Sequence, residues 1–391
     1  MKHLPALGVL TLSLASLTAA CGSGGDTTAT SQGTGGAAAT TGSSSVGGGG
    51  GALATTGVGG ESSATTTGGS TTTGASTTTT TGSSGTGGGS MVADPDLDGP
   101  YTFAELTDKI DVAASGDKGL DVHCAYPTAG PTAGPYPVIV VGHGFSIPGT
   151  EYASYLKRLA TFGYVALTVD YPGSIQAGVN NVKQAQDMIG GLDWAGKKAE
   201  LTGKADVNKA GMSGHSLGGK VAFLASTMDA RVKAAITLDP VDGSMNCSAQ
   251  NCPDVSDLMP TLAIPTAMLG ETTDASGGPG GMSCAPAANN YTTFYASAKT
   301  PSLSVTVNGA NHMSFIDDPS MCPLIFGIIN PCTSCNPATL AQAKALGLSR
   351  AFVVAFYERH LRGDLGYDTY LTGAQAQARY VATNLATIAS K

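Results

Sequence analysis

One serine stands inside a short glycine motif, Gly214-His215-Ser216-Leu217-Gly218. The Gly-x-Ser-x-Gly pattern is typical of a nucleophile elbow, where the chain turns so sharply from a strand into a helix that positions two before and two after the serine tolerate only glycine. A short apolar stretch precedes the motif and a stretch of helical composition follows it, as such a turn requires. The motif therefore predicts that the Ser216 hydroxyl acts as a nucleophile.

A serine hydroxyl is a weak nucleophile and needs a base within hydrogen-bond distance. The chain has six histidines, and elimination favours His312, because it follows the last predicted strand and its loop can reach the elbow. The other five are interpreted as part of an amino-terminal signal, a mid-strand residue, an oxyanion-loop residue, the variable position of the motif and a helix residue: His3, His123, His143, His215 and His360.

The carboxylate that would orient this imidazole has several candidates. Asp239 ends one predicted strand, and Glu271 and Asp274 follow the next. Both places agree with the order serine, acid, histidine, so position along the chain leaves the choice open. Asp170 and Asp242 are interpreted as turn carboxylates.

The backbone donors for a reacting carbonyl oxygen are predicted from position. A β-branched run at 138–141 ends in Gly142-His143-Gly144-Phe145, where small residues allow the backbone to approach a substrate closely. One donor is expected from this loop and the other from the residue after the nucleophile. These are the N–H groups of Phe145 and Leu217.

Strand-like and helix-like segments alternate along the chain, which predicts an α/β fold with a mostly parallel sheet, helices on both faces and active groups at the carboxyl ends of the strands. The predicted strands are residues 119–126, 138–141, 164–169, 209–213, 232–238, 264–269 and 302–307. The predicted helices are residues 152–161, 179–200, 217–226 and 340–361.

The amino terminus is expected to direct export. Residues 1–21 combine Lys2, an apolar run and small residues before Cys21, which resembles a bacterial lipoprotein signal with lipidation and membrane attachment at Cys21. Ordinary cleavage with secretion is the alternative. Residues 22–90 are almost entirely Gly, Ser, Thr and Ala, so they are predicted to be a disordered tether with a root-mean-square reach of roughly 45 Å.

Residues 91–391 are expected to form the catalytic domain, since they are numerous enough to bury one sizeable core. They carry 19 of the 20 basic and 26 of the 28 acidic side chains, a formal balance of −7. A nucleic-acid partner is therefore not expected, because no basic stripe is available to neutralise phosphates. The serine chemistry requires no metal or organic cofactor, and none is predicted.

Eight cysteines in an exported chain suggest disulfides. Cys124 alternates onto one face of a predicted strand and is expected to be a buried free thiol. With Cys21 also set aside, six remain for three bridges, with Cys247–Cys252 weakly preferred: Cys247, Cys252, Cys284, Cys322, Cys332 and Cys335. Cys332-x-x-Cys335 as a zinc or redox element is the less favoured alternative, because no second ligand pair accompanies it.

Six blocks of sequence, in order, together resemble the chlorophyllase family of α/β hydrolases over residues 101–364. The blocks are Tyr136-Pro137-Val138 with His143-Gly144-Phe145; Gly214 to Lys220; Asp239-Pro240-Val241-Asp242-Gly243; Cys284-Ala285-Pro286 with Asn290 and Phe294; His312-Met313 with Asp317-Asp318; and Val353-Val354-Ala355-Phe356 with Gly363-Asp364.

This resemblance implies an α/β-hydrolase fold and hydrolysis of a hydrophobic carboxylic ester through an acyl-enzyme. It favours Asp239 as the acid, because the family carries the acid in its Asp-Pro-Val block, and related platelet-activating-factor acetylhydrolases have a similar serine-to-acid spacing. Leu217 departs from the arginine often found there, and the tether departs from plant members. A lipase, a cutinase-like polyester hydrolase, a phospholipid acetylhydrolase and an inactive surface binding protein are the alternatives.

Overall fold

The strands with the most continuous apolar sequence lie at the centre of one nine-stranded sheet. The structure is a computed structural model that describes residues 92–174, 178–243, 247–277, 283–321 and 335–391. The strands are β1 (Thr102–Val112), β2 (Asp117–Ala129), β3 (Tyr136–Gly142), β4 (Val165–Val169), β5 (Ala205–His215), β6 (Val232–Leu238), β7 (Thr266–Glu271), β8 (Ser302–Val307) and β9 (Ala386–Ser390).

The strand order in the sheet is β1-β2-β4-β3-β5-β6-β7-β8-β9. The strands from β4 across to β8 pair in parallel, whereas β1, β2 and β9 pair antiparallel at the two edges. This mostly parallel sheet with helices confirms the fold class predicted from the alternating segments.

The helices cover both faces of the sheet. They are α1 (Ala153–Thr161), α2 (Asn181–Lys197), α3 (Leu217–Met228), α4 (Tyr291–Ser297), α5 (Gln342–Tyr357), α6 (Asp368–Leu371) and α7 (Ala374–Ala376). Buried residues of α1 and α5 pack in one hydrophobic cluster, and those of α2, α3 and α4 pack in the other. Short 3₁₀ and π turns connect them, among them the 3₁₀ turns Gly149–Tyr152 and His312–Phe315.

Strand β3 illustrates why the centre is so apolar. All seven of its residues are buried, and successive side chains point to opposite faces. Ile139 and Val141 belong to the cluster on one face, while Val138 and Val140 belong to the cluster on the other. Because this strand is buried on both faces, its sequence contains an unbroken run of β-branched residues.

The two outermost strands are absent from the sequence prediction. The strand expected to come first, at 119–126, is the second, because β1 precedes it, and β9 follows the last predicted strand. Both lie at sheet edges and bury few residues, so their sequences lack the apolar run that marks the central strands. The short helices α4, α6 and α7 also escape prediction, because they span only three to seven residues.

The signal and tether predicted for residues 1–90, including Cys21, lie outside the described residues. Among the helices that the structure describes, none is both long enough and apolar enough to cross a membrane.

The two-sided core predicts a clear difference between two leucines. Leu167 in β4 is 0 % exposed, so Leu167→Ala should lower the free energy of unfolding by about 3 kcal/mol through lost burial and a residual cavity. Leu365 is 65 % exposed and serves as the control. Leu365→Ala should change the free energy of unfolding by no more than about 0.5 kcal/mol. Urea unfolding without reductant measures both, and equal losses would contradict the assignment of β4 to the core.

Candidate active site

Ser216 occupies a sharp turn between β5 and α3. Its backbone angles, φ 57° and ψ −123°, are strained for a residue with a side chain. The flanking glycines are required by contact: a Cβ on Gly214 would lie 2.2 Å from the Gly218 carbonyl oxygen, and one on Gly218 would lie 2.3 Å from that of Gly142. Because the Ser216 side chain does not cap α3, its hydroxyl is available to another partner.

The three residues predicted for the catalytic chemistry come together at the carboxyl ends of strands in the parallel part of the sheet. The His312 Nε2 atom lies 2.8 Å from Ser216 Oγ, and its Nδ1 atom lies 2.6 Å from Asp239 Oδ2. Ser216 follows β5, Asp239 follows β6, and His312 begins the 3₁₀ turn after β8. The parallel sheet therefore brings residues far apart in sequence into one chain of hydrogen bonds.

Asp239 is withdrawn from solvent, and this affects its charge. Asp239 is 0 % exposed. Burial raises the pKa of its carboxyl above the usual value, and the hydrogen bond from His312 offsets part of that rise. An ionised Asp239 accepts the Nδ1–H of His312, which leaves Nε2 as an acceptor facing the Ser216 hydroxyl. The arrangement thus selects the imidazole tautomer that a general base requires.

Asp274, the alternative acid, contacts the main chain of His312 and not its ring. Its Oδ2 atom accepts the His312 backbone N–H at 2.7 Å, and its Oδ1 atom accepts the Asn336 N–H at 2.7 Å. Both acids follow neighbouring strands, so the order of residues does not separate them. Of the two acids, Asp239 is the one hydrogen-bonded to the imidazole of His312. Asp274 instead anchors the loop that contains His312.

Glu271, the third candidate, supports the Asp274 loop. Its Oε2 atom accepts the Asp274 N–H at 2.8 Å and also accepts the Thr273 N–H. Burial raises the pKa of Glu271 to about 7, and the charges of Asp239 and Asp274 act in the same direction. Glu271 is therefore a buried acid whose protonation depends on pH near neutrality.

The histidines set aside from the sequence occupy structural positions. His143 stacks on Tyr171 with ring centroids 4.0 Å apart, and its two ring nitrogens lie 2.9 and 3.1 Å from backbone carbonyl oxygens. His360 packs against Phe356, with ring centroids 4.6 Å apart. His143 is thus a buried residue of the loop after β3, and His360 is a partly buried residue that packs on its own helix. His215 differs from them, because its Nε2 atom lies 2.8 Å from the His312 carbonyl oxygen.

A cavity of about 340 Å³ opens beside Ser216. Both residues predicted to supply oxyanion donors line it, and among the described residues neither the Phe145 N–H nor the Leu217 N–H has an acceptor. The role of these two N–H groups as oxyanion donors stays a prediction. The remaining lining is largely apolar: Val179, Val241, Gly243, Ser283, Cys284, Pro286 and Asn289.

Two disulfides lie in the described part of the chain, Cys247–Cys252 and Cys284–Cys335. The first confirms the preferred pairing, and Cys124 is a buried free thiol as predicted. Cys335 pairs with Cys284 and so does not form a redox pair within its Cys-x-x-Cys motif. Cys322 and Cys332 lie outside the described residues, so a third bridge stays a prediction.

Three potential metal ligands do gather near the cavity, since side-chain atoms of Asp274, Cys284 and Cys335 lie within 4.8 Å of one another. The two sulfur atoms are bonded to each other, however, and a metal ion binds thiolates. The donor set therefore does not fit a metal ion in this oxidised form.

A buried ion pair beneath the elbow is a feature that sequence reasoning missed. Lys220 in the first turn of α3 places its Nζ atom 3.2 Å from Asp242 Oδ1, with both side chains almost fully buried. Asp242 also accepts the N–H groups of Val255 and Ser256, which fits its interpretation as a turn carboxylate. The one available signal is the lysine that follows the double glycine of the motif.

Comparison with known proteins identifies the family of this chain. A family model described as chlorophyllase matches residues 109–385. The chain belongs to the chlorophyllase family. The match extends beyond the region of resemblance at its carboxyl-terminal end and confirms the family identified from the six sequence blocks.

Three curated proteins are similar to this chain over more than half of its length. The chain is 27 % identical to chlorophyllase-1 of Arabidopsis thaliana, over 59 % of this chain and 74 % of that protein. It is 27 % identical to bis(hydroxyethyl) terephthalate hydrolase of Streptomyces coelicolor, over 56 % and 62 %, and 24 % identical to chlorophyllase type 0 of Chenopodium album, over 59 % and 70 %. These matches indicate carboxylic ester hydrolase activity.

The glycine contacts at the elbow predict that Gly218→Ala lowers kcat for ester hydrolysis by at least about 100-fold, because the new methyl group would displace the Gly142 carbonyl and Ser216 with it. Gly347 lies inside α5, where a new methyl group would meet open space, so Gly347→Ala is the control. It should leave kcat unchanged and raise the free energy of unfolding by up to about 1 kcal/mol. Equal kcat for the two variants would contradict the contact argument.

The raised pKa of Glu271 should make the stability of the protein depend on pH. Its folded-state pKa of about 7 lies above the ordinary value of 4.5, so the folded protein binds more protons between these values and its stability falls as pH rises through that range. Titration of Glu271 lowers the free energy of unfolding by at most about 1.4 kcal/mol per pH unit. Urea unfolding at pH 5 and pH 8 should therefore show a smaller fall for Glu271→Gln than for the parent.

The exposed carboxyl of Glu200 provides the comparison, because its side chain is 51 % exposed. Glu200→Gln should keep the full dependence of stability on pH. If Glu271→Gln and the parent lose the same stability between the two pH values, the buried acid does not titrate as described.

Proposed function

We propose that this protein is an exported serine hydrolase of hydrophobic carboxylic esters that works through an acyl-enzyme on Ser216. The observation that carries the proposal is the hydrogen-bonded series from Asp239 through His312 to the Ser216 hydroxyl, which ends beside a largely apolar cavity. Family membership supports the reaction class.

In the proposed mechanism, the Ser216 oxygen attacks the ester carbonyl while His312 Nε2 takes its proton. Asp239 stabilises the imidazolium that forms, and the N–H groups of Phe145 and Leu217 bind the oxyanion. In other enzymes such a donor contributes about 10²–10³-fold to kcat. His312 then gives the proton to the leaving alcohol, and water, activated by the same imidazole, releases the acid from Ser216.

The cavity supports a preference for esters with an apolar group next to the carbonyl. Phe145, Val241 and Pro286 offer apolar surface, and Asn289 offers a polar side chain in the same lining. Burying apolar substrate surface favours binding by about 25 cal/mol per Å². A long-chain alcohol ester is one candidate substrate, in keeping with the chlorophyllase relatives.

An aromatic diester is the second candidate. The specific observation in its favour is the relative named as a bis(hydroxyethyl) terephthalate hydrolase, whose match covers 56 % of this chain. The two candidates differ in the leaving alcohol, which is long and flexible in one and short in the other. Direct comparison of substrates therefore separates them.

Export is supported by the two disulfides, because such bonds persist in oxidising compartments and are rare in the cytosol. We further propose that Cys21 is lipidated and holds the enzyme on a cell-envelope membrane. Mass spectrometry of the native amino terminus tests this: a lipid-modified Cys21 is expected, and an unmodified terminus at another residue would contradict it.

The catalytic proposal is tested by kinetics on the full oxidised chain with nitrophenyl esters of several chain lengths. Ser216→Ala and Asp239→Asn should each lower kcat by about 10⁴-fold or more, because one lacks the nucleophile and the other holds the wrong tautomer of His312. Asp274→Asn is the matched variant. It should cost only about tenfold, because it weakens a main-chain contact of His312 and not the contact to its ring.

Two outcomes would contradict the assignment. A larger loss in Asp274→Asn than in Asp239→Asn would move the acid to the later strand, and undiminished activity in Ser216→Ala would remove the serine mechanism. The same preparation, offered pheophytin and bis(hydroxyethyl) terephthalate, distinguishes the substrate candidates. Inactivity on every ester would favour the binding-protein alternative.

A further inference from the structure

His215, the variable residue between glycine and serine in the motif, is fully buried and hydrogen-bonded on both sides of its ring. Its Nε2 atom lies 2.8 Å from the His312 carbonyl oxygen, and its Nδ1 atom lies 2.9 Å from the Tyr152 hydroxyl. The same hydroxyl lies 3.0 Å from the Gly144 backbone nitrogen. A continuous polar path therefore runs from the predicted oxyanion loop to the main chain of the proposed base.

We propose that His215 and Tyr152 are positioning residues, which hold the His312 main chain and the oxyanion loop in one fixed geometry for ester hydrolysis. The inference rests on the proposed function, since it assigns these two residues to the same reaction. Neither is a nucleophile, base or oxyanion donor in the mechanism given above.

The direction of each hydrogen bond follows from chemistry. A carbonyl oxygen only accepts, so the proton of His215 lies on Nε2 and is donated to the His312 oxygen. Burial lowers the pKa of His215 well below its usual range, so the ring is neutral and Nδ1 is an acceptor. The Tyr152 hydroxyl therefore donates to Nδ1, and its oxygen accepts the Gly144 N–H. Each donor along the path has one acceptor.

The path completes the fixing of His312. Asp274 holds the backbone N–H of His312 and His215 holds its carbonyl oxygen, so both sides of the residue are tied. The imidazole then pivots from a fixed main chain toward Ser216, and only its side-chain torsions remain to be set by Asp239. Small displacements of a reacting group are costly, because about 1 Å of misplacement lowers catalysis by about 100-fold.

The other end of the path reaches the oxyanion loop. Gly144 immediately precedes Phe145, whose N–H is a predicted donor, and the Gly144 N–H is held by Tyr152. Tyr152 ends the 3₁₀ turn Gly149–Tyr152 and is 0 % exposed. His215 also adjoins Ser216 in sequence. Its buried ring is therefore connected to the proposed nucleophile, to the main chain of the proposed base and, through Tyr152, to the loop that carries one predicted oxyanion donor.

The test compares three substitutions of His215 in the full oxidised chain, assayed with a short nitrophenyl ester. His215→Leu removes both hydrogen bonds and should lower kcat by about 100-fold with little change in KM. His215→Gln should recover most of kcat, because its amide nitrogen can replace Nε2 and donate to the His312 oxygen. His215→Asn should behave like His215→Leu, because its shorter amide reaches only the place of Nδ1.

The coupling is tested by adding Tyr152→Phe. Alone it should lower kcat by about tenfold, and in combination with His215→Leu it should add little, because the two residues act through one path. Tyr164→Phe is the matched control: it also removes a buried tyrosine hydroxyl, but one with no hydrogen bond to the residues of this path, and it should leave kcat unchanged. Circular dichroism and urea unfolding establish that each variant is folded.

Three results would overturn the inference: wild-type kcat in His215→Leu, equal losses in His215→Gln and His215→Leu, or additive losses in the double variant. Equal losses would mean that the ring only fills space. Tyr152→Phe, which keeps the ring volume, decides the matter if His215→Leu does not fold, since unchanged kcat in that variant would also overturn the inference. Ser216→Ala, measured beside them, reports separately on the serine mechanism.

Discussion

Three glycines bring the ends of β3 and β5 and the first turn of α3 into backbone contact. A methyl group on Gly214 or Gly218 would overlap a neighbouring carbonyl by more than any real contact allows, and Gly142 supplies one of those carbonyls. This close approach forces Ser216 into its strained conformation and presents its hydroxyl at the edge of the sheet. His312, Asp239 and the cavity are all arranged around that hydroxyl, and the proposed reaction depends on where it lies.

The surrounding structure holds this strained turn through buried polar groups. Lys220 and Asp242 join the first turn of α3 to the loop after β6, and both side chains are almost fully buried. Removing one partner of such a pair commonly costs about 3–5 kcal/mol, because the other charge is left buried alone. Asp274 and His215 act similarly on the main chain of His312. The geometry of the candidate site therefore depends on these surrounding contacts as well as on the hydrogen bonds among Ser216, His312 and Asp239.

Much of this arrangement could be predicted from sequence where the signal was local. The elbow glycines, the apolar run of β3 and His312 directly after the last parallel strand are each visible in a short window of residues. Position along the chain did not separate Asp239 from Asp274, because the two residues follow adjacent strands; only the resemblance to the family favoured Asp239. In the structure they differ in their contact, since Asp239 faces the ring of His312 and Asp274 faces its backbone N–H. The role of Tyr152 could not be predicted from the sequence, because its hydroxyl contacts His215, a residue 63 positions away. Edge strands β1 and β9 lack a two-sided apolar pattern and so show no comparable signal.

The most direct test of the serine mechanism is to trap the covalent intermediate. A fluorophosphonate, which reacts with activated serines, is added to the full oxidised chain, and the modified residue is found by peptide mass spectrometry. We predict one adduct, on the peptide that contains Ser216, together with complete loss of esterase activity and no labelling of Ser216→Ala. Labelling of a different serine, or inhibition without an adduct on Ser216, would contradict the mechanism.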